Sequence, residues 1–277
     1  MAMRPSALNA MGDYTKSPPF AAFCAISEEA WDKFHLIIGG HENQDTSDRD
    51  YLFTRLTYIS EVTSTAIRLN ASWALTHPTM SLTRDRYEQI VRFSWLARQH
   101  DNTEIQKFVT YYHAAANRIF TKLKEAAKEE FNKMVDNPPD WSIKALTKEE
   151  KRYLGAWDAM DLLSMAKKRD ALPGFGQSDI ARQKLEIYYA PIYNQFSSVS
   201  HSDMYSVALL ELHKNPQGQL VLAADPHWPA TLAAFNSLFD TIQCYECAGG
   251  IYGKECEKQF QSVFARWHAH ATKAFTG

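Results

Sequence analysis

Arg84, Glu88 and Arg92 recur at intervals of four residues. On a helix this spacing stacks all three on one face, with a carboxylate between two guanidinium groups. Each guanidinium presents a planar fork suited to phosphate or carboxylate, and Glu88 would hold both in place. Tyr87, Val91 and Trp95 form the adjoining face. The same spacing also describes a solvated ion-pair ladder, in which each pair is worth only about 0.3–0.5 kcal/mol.

A second group follows an aromatic run that contains Tyr188, Tyr189, Tyr193 and Phe196. It reads Ser197-Ser198-Val199-Ser200-His201. If a helix persists here, the Ser197 or Ser198 hydroxyl faces the imidazole of His201. Histidine is the side chain most readily poised as an acid or base near neutral pH, and a Ser–His pair can activate a nucleophile. Tyr189 and Tyr193 add rings for stacking against a ligand. A helix end, with serines as caps and a histidine at the negative pole, accounts for the same residues without chemistry.

Cys244, Cys247, Cys256, His268 and His270 form a third group. A Cys-x-x-Cys start permits zinc, but the second ligand pair lacks a recognised spacing. Two cysteines three apart on a helix fit as small core residues. A di-iron bundle would need Glu-x-x-His pairs, and the chain has none. It also has no phosphate-binding glycine loop, nucleophile elbow or dinucleotide fingerprint. The expectation is no metal and no cofactor.

The elements that must position these residues read as helices. Residues 1–26 hold Pro5, Pro18, Pro19 and Gly12 and are expected to form a flexible N-terminal arm. Ser27 is expected to cap a helix that stops at Gly39-Gly40. From Ser47-Asp48 a longer helix carries Leu52, Leu56, Ile59, Thr63 and Ile67 as a buried stripe and ends at Pro78. Thr83 is expected to cap the next helix, which runs to about His100. Another runs from about Thr103 to Val135, and one from about 148 to 170 follows the capping box Thr147 to Glu150.

Ser178 is expected to open a helix that Pro191 kinks. Val207–His213 and Gln219–Ala223 read as a minor β-hairpin. One or two closing helices fill 230–275, with Gly249-Gly250 and Gly253 as a break. The fold class is therefore all-α, an antiparallel bundle of about seven or eight helices, with a single helical domain over 27–277.

The 277 residues include 45% hydrophobic and 22% charged residues with a net charge of −2, so no global basic field recruits nucleic acid. Met1–Phe20 has no signal-peptide stretch, and no run reaches the roughly 18 apolar residues of a membrane helix. The expected location is the cytoplasm, with no membrane partner.

Two stretches carry a resemblance. They are Thr83-Arg84-Asp85-Arg86-Tyr87-Glu88 onward to Leu96, and Tyr189-Ala190-Pro191-Ile192-Tyr193 onward to His201. Together they resemble a widespread bacterial all-helical family of unknown function, over roughly residues 50–250. That family pairs an R-x-x-x-E-x-x-x-R helix with a later helix ending in S-x-x-x-H or S-x-x-H. It is in turn similar to HEPN-like helical domains, many of which act in phage defence and toxin–antitoxin systems.

Active HEPN-like members are metal-independent RNases that work as dimers through an R-x(4–6)-H motif. The resemblance therefore implies an RNA or other phosphate-containing ligand and a homodimer. The chain departs from that motif: seven residues separate Arg92 from His100, and three separate Arg266 from His270. An RNase would have to assemble His201 as acid/base with Arg84 and Arg92 as phosphate clamps and Glu88 orienting them. The rival expectation is a non-catalytic helical module that binds a protein or a small ligand.

Overall fold

The computed structural model describes residues 17–39, 48–73, 75–99, 102–111, 161–174, 176–200, 211–214, 220–223, 227–252 and 257–276, with scattered positions between 114 and 152. The chain divides into two compact units, one of residues 1–98 with 165–277 and one of residues 99–164. The even helical patterning of 27–277 does not announce this division. In the second unit, residues 103–111 are helical.

The first unit is built on helices α1 (Pro18–Gly39), α2 (Asp48–Ser72), α3 (Thr76–Ala97), α4 (Leu162–Ala171, whose first turn lies in the other unit), α5 (Gln195–Ser200), α6 (His227–Tyr252) and α7 (Glu257–Thr276). Two short backbone stretches, Glu211–Lys214 and Leu220–Ala223, pair antiparallel with Glu211 opposite Ala223. Among the described residues no helix is long and apolar enough to cross a membrane.

Helix α6 is the hub, packing against α1, α2, α3 and α7. Its sequence explains this position, because after His227 at its start it has no acidic or basic residue except Asp240 and Glu246, and both are buried. Phe20, Phe23, Ile26, Ala30, Trp31 and Phe34 of α1 are buried, as are Phe260, Val263 and Phe264 of α7. The Trp267 indole donates to the Ala234 carbonyl of α6 at 2.8 Å.

Several sequence expectations shift by a turn or more. Helix α1 starts at Pro18, inside the segment 1–26 expected to be an arm, because prolines are tolerated in a first helical turn whose N–H groups have no partner anyway. Ser27 is therefore not a cap. It is a buried mid-helix residue whose hydroxyl donates to Asp240.

Pro78 likewise does not end a helix. It sits in the first turn of α3, and the break falls after Ser72. Thr83 is mid-helix and buried, with its hydroxyl on the Thr79 carbonyl at 2.8 Å.

The stripe expected on α2 is rotated. Ile59 points outward, Leu52, Leu56 and Thr63 are half-buried, and the buried line is Phe53, Thr57, Ser60, Ser64, Ile67 and Ala71. Small and hydroxylated residues on that line let α6 approach closely and supply hydrogen bonds to its acid. Helix α6 also runs through Gly249-Gly250 to Tyr252 before breaking.

The segment from Ser178 does not open as a helix. Residues 176–185 form bends and turns, followed by a 3-10 turn (Glu186–Tyr188), a π-helical turn (Tyr189–Asn194) and then α5. Pro191 lies in the π turn. Proline lacks an N–H and its ring crowds the preceding turn, and widening the helix relieves that crowding.

Candidate ligand-binding face

Helix α3 positions two arginine sets on opposite sides. Successive helical residues are rotated by 100°, so Arg84 and Arg86 diverge. Arg86 turns into the core and Arg84 turns out.

On the outer side the expected ladder forms. The Arg92 Nη2 lies 2.5 Å from Glu88 Oε1, and the Arg84 Nη2 lies 3.8 Å from Glu88 Oε2. Arg84 also reaches Asp85 at 3.3 Å. All three ladder side chains are partly exposed. Glu88 and Asp85 together offset the charges of Arg84 and Arg92, so what the ladder offers is two fixed guanidinium forks and not a net charge.

The aromatic run meets this ladder. The Arg84 guanidinium carbon stands 5.0 Å from the centre of the Tyr193 ring. Tyr189 stacks on Tyr193 with centroids 5.1 Å apart and planes 22° apart. Burial works against the Arg84 charge, but the Tyr193 hydroxyl, Asp85 and Glu88 outweigh it and raise the guanidinium above its usual range. Asp85 itself is pushed up, by burial first. Arg84 is thus charged and already in cation–π contact with the Tyr193 ring.

Ser197 has a different role from the one its type suggests. Its hydroxyl donates to the Tyr193 carbonyl, the back-bond common for serine within a helix, and so stiffens the passage from the π turn to α5. The side chain of Ser198 and all of His201 lie outside the described residues. The structure thus brings together Arg84, Glu88, Arg92, Tyr189 and Tyr193, with Ser197 bracing the platform from behind.

What holds the tyrosine platform against α3 is a buried polar network that sequence spacing does not show. Asp170, at the end of α4, accepts from the Leu185 N–H at 2.9 Å and the Glu186 N–H at 2.9 Å, capping the start of the 3-10 turn. Tyr87 of α3 donates to the Leu185 carbonyl at 2.9 Å. Asp170 is paired with Arg169 at 2.9 Å, and Arg169 is anchored by Glu246 at 2.5 Å and by Ser94 at 2.5 Å.

Arg98 closes the set, bonding Glu246 and the Ala181 carbonyl at 2.8 Å. Burial pushes the Glu246 carboxyl up, but Arg169 and Arg98 together outweigh it and hold it below the usual carboxylate range. One signal was available in the sequence: an acid isolated in the long apolar stretch of α6 must find cationic partners if it is buried.

Of the cysteine group, two members are described in the core. Cys244 and Cys247 are buried in α6, where burial pushes both thiols up, that of Cys247 to about 12. Thiolates are the metal-binding form, so this environment suits neutral core thiols. Cys256 lies outside the described residues. Among the described residues no group of three or more histidine, cysteine or acidic side chains is placed to hold a metal ion.

Comparison with known proteins gives one match. A family model described as "Family of unknown function (DUF5677)" covers residues 50–219, a span that holds the whole ladder, the tyrosine platform and the Asp170 anchor. No curated protein and no solved structure matches the chain. The model spans well over half of the 277 residues, and the chain therefore belongs to the DUF5677 family.

Proposed function

We propose that this chain is a helical module that binds a phosphate-bearing, planar ligand, single-stranded RNA in the first instance, on the face made by Arg84, Arg92, Tyr189 and Tyr193. The observation that carries the reading is the Arg84–Tyr193 contact at 5.0 Å, which places a part-exposed guanidinium beside a stacked tyrosine pair. A nucleotide offers a phosphate for the guanidinium fork and a base for the ring. Base–aromatic stacking contributes about 1–3 kcal/mol per base and does not require a particular sequence.

The wider role, an effector in a bacterial phage-defence or toxin system, rests on the resemblance to HEPN-like domains. RNA cleavage is the second step of that role. It assigns proton transfer to His201 and charge stabilisation to Arg84 and Arg92, while the attacking 2′-hydroxyl comes from the substrate itself.

The test is fluorescence anisotropy with a labelled single-stranded RNA. Binding by the wild-type chain that weakens about tenfold in Arg84→Ala and in Tyr193→Ala supports the reading. Absence of binding by the wild-type chain removes it. Incubating the same RNA with His201→Ala beside wild type separates binding from cleavage, because cleavage disappears in the variant while affinity persists.

A further inference from the structure

Helix α2 carries large apolar side chains on its outer face as well as on its buried line, where Phe53, Ile67 and Ala71 lie. Its buried line carries Thr57, Ser60 and Ser64, while Tyr51, Tyr58, Ile59, Val62 and Leu69, with Trp73 just past its end, face outward at 39% to 71% exposure. Apolar patches of this extent on a soluble domain mark interaction surfaces.

The outward residues also have a particular period. Tyr51, Arg55, Tyr58, Val62, Thr65 and Leu69 alternate at four and three residues and are exposed, although the Tyr58 ring also stacks on His35 of α1 with centroids 5.5 Å apart, and Trp73 follows four further on. A period of 3.5 is that of a coiled-coil seam. The stripe is also balanced about its centre. Tyr51 and Trp73 each lie eleven residues from Val62, and Arg55 and Leu69 each lie seven.

We infer that two copies of this chain pair through the outward face of α2, antiparallel, with the two-fold axis passing near Val62. A two-fold interface requires a patch complementary to itself, and this stripe is. Pairing about Val62 sets Tyr51 of each copy against Trp73 of the other, and Ile59 against Thr65. Arg55, the only charge among these residues, already lies 5.5 Å from the centre of its own Tyr51 ring. Pairing would enclose its guanidinium between that ring and the indole of the second copy, so the charge needs no carboxylate opposite.

The composition agrees, since tyrosine, tryptophan and arginine are enriched at protein interfaces. A lipid surface fits less well. Interfacial helices carry a lysine- and arginine-rich polar face, whereas the charged residues of α2 are few and of both signs, and Arg68 is paired with Glu28 of α1. The stripe runs about 33 Å at 1.5 Å per residue. A single helix pair of this length makes a small interface of the weak, transient kind, so the dimer is reversible and concentration-dependent.

The experiment joins sedimentation equilibrium to cross-linking. Val62 is 71% exposed, so substitutions there leave the fold intact. Wild-type chain is expected to pass from monomer to dimer with rising concentration, and Val62→Glu to shift that midpoint at least tenfold upward. Under a mild oxidant, Val62→Cys is expected to form a disulfide dimer above the wild-type background. Leu69→Cys is expected to stay at background, because its two copies would lie about 21 Å apart along the seam, far beyond disulfide reach.

Three results overturn the inference. One is a wild-type chain that stays monomeric at the highest concentration. Another is a dimer that Val62→Glu leaves unchanged or that cross-links equally at both positions. The third is a Val62→Cys thiol shielded from a soluble thiol reagent in dilute, monomeric protein, which would mean that another segment of the same chain covers the stripe.

Discussion

The Arg86 guanidinium and the Asp240 carboxylate meet at 3.1 Å with neither side chain reaching solvent. Asp240 also accepts from Ser27, from Ser64 at 2.6 Å and from Asn236 at 3.2 Å, and Arg86 donates to Gln243 at 2.5 Å. One carboxylate thereby ties α1, α2 and α3 to the hub helix α6. Burial pulls the Arg86 guanidinium below its usual range, and Asp240 counters that pull. Two residues earlier on the same helix, Arg84 serves the outer face. Arg84 and Arg86 thus stand on opposite sides of one helix, the first partly exposed and the second fully buried.

Removing either partner of the core pair leaves a buried charge uncompensated, which costs about 3–5 kcal/mol. Arg86→Met and Asp240→Asn should each lower the urea midpoint by a corresponding amount. The double variant should lose clearly less than the two single losses combined. Additive losses would show that the two groups do not act as a pair.

Glu246 makes stability depend on acid pH. Its folded-state value is held below the ordinary glutamate value of about 4.3. Its contribution is therefore fully present above that pH and is lost as pH falls through the folded value. Urea unfolding at pH 7 and at progressively lower pH should show wild type losing stability in that window. Glu246→Gln should be less stable at neutral pH, with two buried guanidiniums left without their shared anion, and its pH profile should be flatter.

Gly174 is a close-approach residue. A Cβ there would meet the Ala181 carbonyl oxygen at 2.7 Å, the same oxygen that accepts from Arg98. Gly174→Ala should destabilise by about 1–3 kcal/mol, the usual range for overpacking. Thermal unfolding reads this directly, and a gain in stability would contradict the contact.

Asp170 should act on binding without touching ligand. Asp170→Ala removes the acceptor for two backbone N–H groups at the start of the tyrosine platform, bonds to a charged group worth about 1.5–3 kcal/mol each. RNA affinity should fall while Arg84 and Tyr193 remain unchanged. Exchange of the Leu185 and Glu186 amide hydrogens should accelerate, which a change in ligand contact alone would not produce.

Much of this was legible in the sequence because it is local. The Arg84–Glu88–Arg92 ladder follows from helical spacing, and the stacked pair Tyr189 and Tyr193 from a separation of four. Their meeting was not legible, since Arg84 and Tyr193 are joined only through the bends at 176–185 and the Asp170 cap. Nor were the buried arginines. Arg86 stands in a run of charged residues that reads as solvated surface, and only Asp240, far along the chain, explains its burial. Helix α2 misled in the opposite direction, because the spacing of Ile59 and its neighbours says that a stripe exists but not which stripe faces α6.

The proposed face is tested most directly by the salt dependence of RNA affinity. Each phosphate contact to a single strand adds about 0.7 to the slope of log affinity against log salt. Wild-type chain and the variant Arg84→Gln/Arg92→Gln should therefore differ in slope by roughly 1.4. The variant should also bind more weakly at low salt. Equal slopes and equal affinities would place the phosphate elsewhere and contradict the account.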